Sequence, residues 1–369
     1  MKTCLKNSCI LAFILLSNFL SAQNVLLLDS LTSLDNALQE ISGFEYIHDK
    51  LIGHSDSGGE NALYEISPIN GSVERKIVIS NATNIDWEDI TADDTHIFIG
   101  DFGNNNGNRQ DLKIYRISQQ DFFSSDTILA DTLLISYAAQ LDFSSMRFQT
   151  NYDAEAMVAA GDSLYVFSKN WGNLRSYVYS LPKLPGQYEL DIRDSLDVQG
   201  LLTGADYDPV ADRLSFCGYT FSEAFFIDLQ SPNFPAVSQS MFDKTNLPFT
   251  GVFQVESICH EDSGRLYLAT EGNAAIPAFL YSFFIDKASS ILTYNSAEFK
   301  VFPNPSKHSI QLEIGEAFHY ELYDLQGRLM LAGKENNIEL QALPRGYYWL
   351  KIVLTKSERI DIRKVLLYE

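Results

Sequence analysis

The chain has 369 residues with 27 basic and 48 acidic side chains, a net charge of −21, and 46% hydrophobic residues. That excess of acid repels nucleic acid and anionic membrane surfaces and favours cations, which excludes nucleic-acid binding. Only four cysteines are present, too few for a disulfide framework, and neither Cys217 nor Cys259 has a partner at zinc-ligand spacing.

The N-terminus carries Lys2 and Lys6, then an apolar run from Ile10 to Leu16 that continues to Leu20, with Ser21 and Ala22 before Gln23. This is the layout of a secretory signal peptide, and the run is too short to span a bilayer as a mature helix. Residues 1–22 are expected to be removed after Sec export to the periplasm. Cys4 and Cys9 leave with them, and Cys217 and Cys259 then either pair or remain as two buried thiols. No later segment approaches 18 apolar residues, so no membrane span is expected in the mature chain. The mature chain holds 25 basic and 48 acidic residues; residues 298–369 hold ten of each, so residues 23–297 carry the whole −23.

From residue 40 the sequence repeats. An acidic residue opens a short strand, a turn leads to an apolar strand, and a polar Gly/Asn loop leads to a strand of aromatic and β-branched residues. The copies begin at Glu40-Ile41-Ser42-Gly43, Trp87-Glu88-Asp89-Ile90, Asp153-Ala154-Glu155-Ala156, Thr203-Gly204-Ala205-Asp206 and Val255-Glu256-Ser257-Ile258. Anchors at Glu40, Glu88, Glu155, Thr203 and Glu256 are 48, 67, 48 and 53 residues apart. A period near fifty with four strands per copy and no convincing helix predicts a five-bladed β-propeller over residues 23–287. Six blades result if residues 117–150 hold a degenerate copy, and an open sandwich shares the strand signals without the period. Val25–Leu31 has no partner of its own and is expected to complete the last blade, leaving no long open edge.

Glu40, Glu88, Glu155 and Glu256 share one repeat position at the start of the innermost strand, which predicts a ring of carboxylates around one end of the channel. Two carboxylates ~6 Å apart repel by roughly 3 kcal/mol at an effective dielectric of about 20. The ring therefore needs a cation, an arginine, backbone N–H groups or protons. Oxygen ligands favour Ca2+ or Mg2+; the competing reading makes each Glu a clasp to the backbone of the next blade. Arg109 and Arg175 follow Glu88 and Glu155 by 21 and 20 residues, each after an Asn/Gly loop, and pair with the ring or bind an anion at the mouth. The loop Asp101-Phe102-Gly103-Asn104-Asn105-Asn106-Gly107-Asn108 is not an EF-hand, because its twelfth position is Leu112. It is expected to be a long turn, with Asp101 a further cation ligand. His54, in His54-Ser55-Asp56-Ser57-Gly58, is either a solvated loop residue or a general base. No nucleophile elbow, HExxH zinc motif, P-loop or dinucleotide fingerprint occurs, so no organic cofactor is expected.

Trp87-Glu88-Asp89-Ile90, Gly100-Asp101-Phe102-Gly103-Asn104-Asn105 with Arg109, and Asp153-Ala154-Glu155-Ala156 resemble the phytase-like and SdiA-regulated propeller proteins over residues 40–285. The resemblance implies bound Ca2+ or phosphoester cleavage. The body's 15 basic residues are few for a polyphosphate substrate. The expected function is an extracellular or cell-surface binding or scaffold module with a structural Ca2+, its ligand left open by the motifs. The alternative is a metal-dependent hydrolase, a phytase-like phosphoesterase, with Arg109 or Arg175 gripping phosphate.

After a linker at residues 288–298, residues 299–369 form a separate all-β unit. Seven short strands are expected, enough for an immunoglobulin-like sandwich. The stretch contains Phe302-Pro303-Asn304-Pro305, Tyr323-Asp324-Leu325-Gln326-Gly327-Arg328, Leu343-Pro344-Arg345-Gly346-Tyr347-Tyr348 and the basic strand Arg363-Lys364-Val365-Leu366. In that order the motifs resemble the type A C-terminal sorting domain of the type IX secretion system of Bacteroidota. The resemblance implies recognition by that machinery, passage across the outer membrane, and a secreted or surface-attached product.

Overall fold

The computed structural model describes residues 28–249, 254–261, 264–273, 276–285, 299–314, 317–324, 328–354 and 360–368. The expected signal at 1–22, the linker at 288–298 and the turn residues 325–327 lie outside the described residues. The chain divides into two compact units with the break between Phe284 and Ile285.

The first unit opens with β1 (Asp29–Ser33) and then builds five sheets. The first sheet is β2 (Ile41–Ile47), β3 (Lys50–Ser55), β4 (Ala62–Ile66) and β5 (Val73–Ile79). The second starts with β6 (Trp87–Ala92), β7 (His96–Asp101) and β8 (Lys113–Ser118), followed by the helix α1 (Gln119–Ser124). Next, β9 (Thr127–Ile128) returns to pair in parallel with β5, and β10 (Asp131–Tyr137) completes the second sheet beside β8. Residues 117–150 thus lengthen the outer edges of two sheets rather than forming a sixth.

The third sheet is β11 (Ala154–Ala160), β12 (Ser163–Ser168) and β13 (Ser176–Pro182), with β15 (Asp194–Leu196) at its edge. The intervening β14 (Gly186–Leu190) leaves it to pair in parallel with β10. The fourth sheet is β16 (Leu201–Asp208), β17 (Arg213–Tyr219), β18 (Ala224–Gln230) and β19 (Phe242–Asn246). The fifth is β20 (Val255–His260), β21 (Arg265–Thr270) and β22 (Phe279–Phe284), and its outer strand is β1. The closing strand therefore comes from the start of the chain, at 29–33, with residues 25–27 outside the described set.

The first strands of the five sheets touch in cyclic order: β2 on β6, β6 on β11, β11 on β16, β16 on β20, and β20 back on β2. This is a closed propeller. Its cores lie between sheets: Ile52, Leu63 and Ile77 of the first pack with Trp87, Ile97 and Ile99 of the second. Leu51, Tyr64 and Ile66 pack with Tyr267 and Leu280, sealing the ring. Covered on both faces, β6 and β11 are buried almost end to end, Glu88, Asp89 and Glu155 included, whereas the outer β10 alternates exposed and buried. Cys217 and Cys259 are buried free thiols, and burial pushes both well above the ordinary thiol range.

The second unit has seven strands in two sheets: β23 (Phe299–Phe302), β24 (Ser309–Ile314) and β27 (Asn337–Glu339) in one, and β26 (Leu329–Gly333), β25 (Phe318–Tyr323), β28 (Gly346–Leu354) and β29 (Ile360–Leu367) in the other. Ile310, Leu312 and Ile338 of the first sheet share one core with Leu322, Leu350 and Val365 of the second, a sandwich held by its inward alternation. No helix among the described residues is long and apolar enough to cross a membrane.

Candidate functional site

The channel mouth is made by a defect repeated five times. On every first strand the register with its neighbour slips by a β-bulge, at Ser42, at Glu88 and Asp89, at Glu155, at Thr203 and at Glu256. A bulge bends its strand and re-aims the extra side chain. The ring is therefore Ser42, Glu88, Glu155, Thr203 and Glu256, and Glu40 is not in it. Glu40 lies two positions earlier, level with Asp86, Asp153 and Gln254, and its side chain is exposed; this corrects the first anchor of the repeat.

Hydroxyls and carboxylates behave differently in this ring. Ser42 Oγ donates to the Glu88 carbonyl at 2.7 Å, and Thr203 Oγ1 donates to the Val255 carbonyl of the next sheet. An ionised carboxylate has no proton to offer a carbonyl. Glu88 and Glu155 instead gather with Asp86 and Asp153, two residues upstream of each, and with Asp56 at the end of β3. Ligand oxygens of Asp56, Asp86 and Glu88 lie within 4.8 Å of one another, as do those of Glu88, Asp153 and Glu155. Glu88 is the shared vertex of two carboxylate trios.

The electrostatics follow from burial. Asp86 is pushed up to about 7, first by burial and then by Asp56 and Asp153. Burial, then Glu155 and Asp56, holds Glu88 well above the usual carboxylate range, and burial does the same for Glu155. Glu271, on the fifth sheet, is driven to about 8 by burial and then Glu256. One ammonium opposes this charge. Lys169 Nζ lies 3.0 Å from Glu155 Oε1, both side chains buried, and stands over the rings of Trp171 and Tyr219 at 5.1 and 5.5 Å. Burial works against its charge, but Glu155, Tyr219 and Glu256 outweigh it and hold Lys169 well above its ordinary value. The pairing sits on the Glu155–Glu256 side; Asp56, Asp86 and Glu88 make no close ion pair among the described residues, with Lys169 and Arg109 easing the charge on Asp56 and Asp86 from farther off.

Gly103 completes the cup. A Cβ there would stand 2.0 Å from Glu88 Oε1 and 2.5 Å from Asp86 Oδ2, so only glycine lets the β7–β8 loop approach these carboxylates. The same loop is pinned by the Asn104 amide, which donates to Asp153 Oδ1, and by Asn104 Nδ2, which donates to the Tyr152 carbonyl at 3.0 Å. Below the mouth Asp89 forms a floor. Its Oδ2 accepts from Met157 N at 2.8 Å and Ala205 N at 3.2 Å, and its Oδ1 from Ile90 N at 2.9 Å. One side chain so ties β6 to β11 and, across the channel, to β16. Glu45 Oε2 accepts from Ala92 N at 3.2 Å and Asp206 Oδ2 from His260 N at 2.6 Å. The backbone clasp expected of the mouth glutamates is made one layer deeper by Asp89, Glu45 and Asp206.

The remaining expected site residues are placed elsewhere. Asp101 is buried and bound to Arg109 Nη2 at 2.8 Å rather than joined to either trio. Arg109 also donates to the Gly103 carbonyl at 2.8 Å and Asp111 at 3.2 Å, so it braces the loop from below. Arg175 reaches outward to Ser195 Oγ at 2.8 Å and Asp197 at 3.6 Å, on the edge side of the third sheet. His54 is not a loop residue. It lies within β3, fully buried, edge-on to Trp87 at 5.6 Å, and burial lowers it to about 4. It is neutral at pH 7 and grips no anion. Glu256 stays in the ring, accepting from Gln254 Nε2 at 3.1 Å.

Asp56, Asp86, Asp153, Lys169 and Glu271 join the site without being among the residues expected from the repeat. The signal for two of them was the twice-written Asp-x-Glu of Asp86-Trp87-Glu88 and Asp153-Ala154-Glu155. A Ser215–His260–Asp206 chain, with Oγ to Nε2 at 3.0 Å and Nδ1 to Oδ2 at 2.8 Å, has the order of a hydrolytic triad. Ser215 is fully buried within β17, so it joins the fourth and fifth sheets and presents no nucleophile.

Comparison with known proteins bears mainly on the second unit. Residues 300–366 match the family model of the secretion system C-terminal sorting domain. No curated protein matches the sequence. Among solved structures the chain is similar to PorZ, a surface component of the type IX secretion system of Porphyromonas gingivalis, at 11% identity and a TM-score of 0.36, covering 89% of this chain and 45% of PorZ. This chain thus spans less than half the length of PorZ. It is also similar to a PQQ-bound aldose sugar dehydrogenase from Streptomyces coelicolor, at 11% identity and a TM-score of 0.41, covering 70% of this chain and 98% of that one. A putative TolB from Agrobacterium tumefaciens gives 12% identity and a TM-score of 0.34, with 89% and 91% covered. Likenesses this distant say nothing of activity, and the propeller rests on its own strand order. The C-terminal unit is a type IX sorting domain, and the chain is cargo of that system, exported to the cell surface or beyond it.

Proposed function

We propose that the propeller is an extracellular binding module whose channel mouth holds one calcium ion between Asp56, Asp86, Glu88, Asp153 and Glu155. The observation that carries this reading is the double carboxylate trio sharing Glu88, over a loop brought close by Gly103. Ionised carboxylates within 4.8 Å of one another repel by at least about 3.5 kcal/mol per pair at an effective dielectric near 20. Lys169 offsets one side only. The donor set is all oxygen, which suits a hard cation with a flexible shell of six to eight ligands. Arg109 and Arg175 are committed to Asp101, Asp111, Ser195 and Asp197, so the phosphoesterase reading lacks its anion grip.

Metal analysis of purified protein, with thermal unfolding in calcium, magnesium and EDTA, tests the reading. One calcium per chain and a calcium-specific rise in Tm, both lost in Glu88→Gln and Gly103→Ala, are expected. Absence of bound metal together with an unchanged Tm rejects it. Phosphoester turnover that disappears in Glu88→Gln with folding intact would replace it with the hydrolase.

A further inference from the structure

The segment from β10 to β11 carries apolar side chains to the rim that no core uses. Leu141 is 89% exposed, Phe148 47% and Met146 39%. The segment is nevertheless fastened: Met146 N donates to the Asn106 carbonyl at 2.8 Å and Phe148 N to that of Asn105 at 3.0 Å. Phe148 has φ +56°, a conformation bulky side chains rarely adopt and one that recurs at ligand sites. Its ring lies against Trp171, centroids 4.7 Å apart at 52°, and Arg147 stands over it at 4.8 Å. The Trp171 indole N–H donates to Asp153 Oδ2 at 2.8 Å. That bond joins the aromatic pair to the carboxylate cup.

We infer that the mouth binds a neutral saccharide. A sugar ring presents a C–H face, which packs on aromatic carbon, and a rim of hydroxyls, which need neutral donors and acceptors. Phe148 and Trp171 supply the first, and the side-chain amides of Asn105 and Asn106 on the adjoining loop supply the second. A vicinal diol adds two oxygens of the kind calcium takes to complete its shell, and this contact alone rests on the calcium reading above. The acidic body disfavours uronate, sulfated and phosphorylated glycans, which leaves uncharged ones. Arg147, exposed and over the Phe148 ring at 4.8 Å, offers its N–H groups to a hydroxyl.

Affinity electrophoresis of the purified protein through gels containing laminarin, dextran, mannan, xylan or polygalacturonate, with calcium or EDTA, tests this. The expected result is retardation by at least one neutral polysaccharide, weakened at least tenfold in Phe148→Ala, with the calcium-dependent Tm rise of that variant intact. Retardation that survives EDTA but not Phe148→Ala upholds the saccharide and removes its diol–calcium contact. No retardation by any neutral polysaccharide, or equal retardation of wild type and Phe148→Ala, overturns the inference and leaves the metal measurement standing by itself. A protein captured through Phe148 without any polysaccharide binding also overturns it.

Discussion

Replacing Asp86 by Asn should make the metal-free protein more stable, against the usual direction of a mutation at a buried site. Asp86 is pushed from 3.8 to about 7, and each unit is about 1.4 kcal/mol, so holding its charge in the fold costs at most about 4 kcal/mol. A carboxyl raised on folding binds its proton more tightly in the folded state. It therefore contributes stability below the unfolded value near 4 that is lost as pH rises through about 7. In EDTA, wild-type stability should fall between pH 4 and 7, and fall further toward 8 as Glu271 ionises. Asparagine has the same shape and no charge. At pH 8 in EDTA, Asp86→Asn should gain about 2–4 kcal/mol, the lower figure allowing for a proton shared with Glu88. That is roughly 4–16 °C in Tm for a domain of this size. The same substitution should abolish the rise in Tm on adding calcium. Differential scanning calorimetry at pH 5 and 8, with calcium or EDTA, reads all four numbers. An Asp86→Asn protein no more stable than wild type at pH 8 in EDTA refutes the electrostatic account of the cup.

Lys169→Met leaves Glu155 buried without its ammonium; breaking such a pair costs about 3–5 kcal/mol. Urea denaturation in EDTA at pH 8 should show that loss. Asp89→Asn keeps the shape but turns acceptors of backbone N–H groups into a mixed pair, and should cost at least about 2 kcal/mol, equally with and without calcium. For the address, deleting Phe299–Glu369 should leave the propeller in the periplasm, read by fractionation; undiminished release would contradict the sorting role.

The propeller was legible because the second strand of each sheet is flanked by strands on both edges and buried, so Ile97-Phe98-Ile99 and Leu266-Tyr267-Leu268 read as apolar runs at a regular spacing. The site was legible only in part. A β-bulge has no residue-type signature, so the repeat points to Glu40 where the bulge selects Ser42. Lys169 was hidden by a sign reversal: it occupies the position just past the second strand where the first sheet has Asp56 and the fifth has Glu271. A repeat read for like residues skips it. His54, among Ser, Asp and Gly, had the look of a loop, but β3 runs on to Ser55 because Gly43 opposite leaves its ring room, a Cβ there standing 2.8 Å from Nε2. The crossing of β14 into the second sheet is a tertiary pairing with no local code.

The proposed calcium cup suits an exported protein. Inside the cytosol, where free calcium is scarce, a mouth with this charge would stay partly protonated and strained. Past the outer membrane calcium is abundant, and an extracellular site needs a dissociation constant of only about 10⁻⁴–10⁻³ M to fill. The neutral sorting domain sits in a unit of its own beyond Phe284, while the acidic charge lies on the propeller. The address can thus be read by the secretion machinery without the cup taking part, and the calcium proposed for the cup would bind the folded propeller independently of that address.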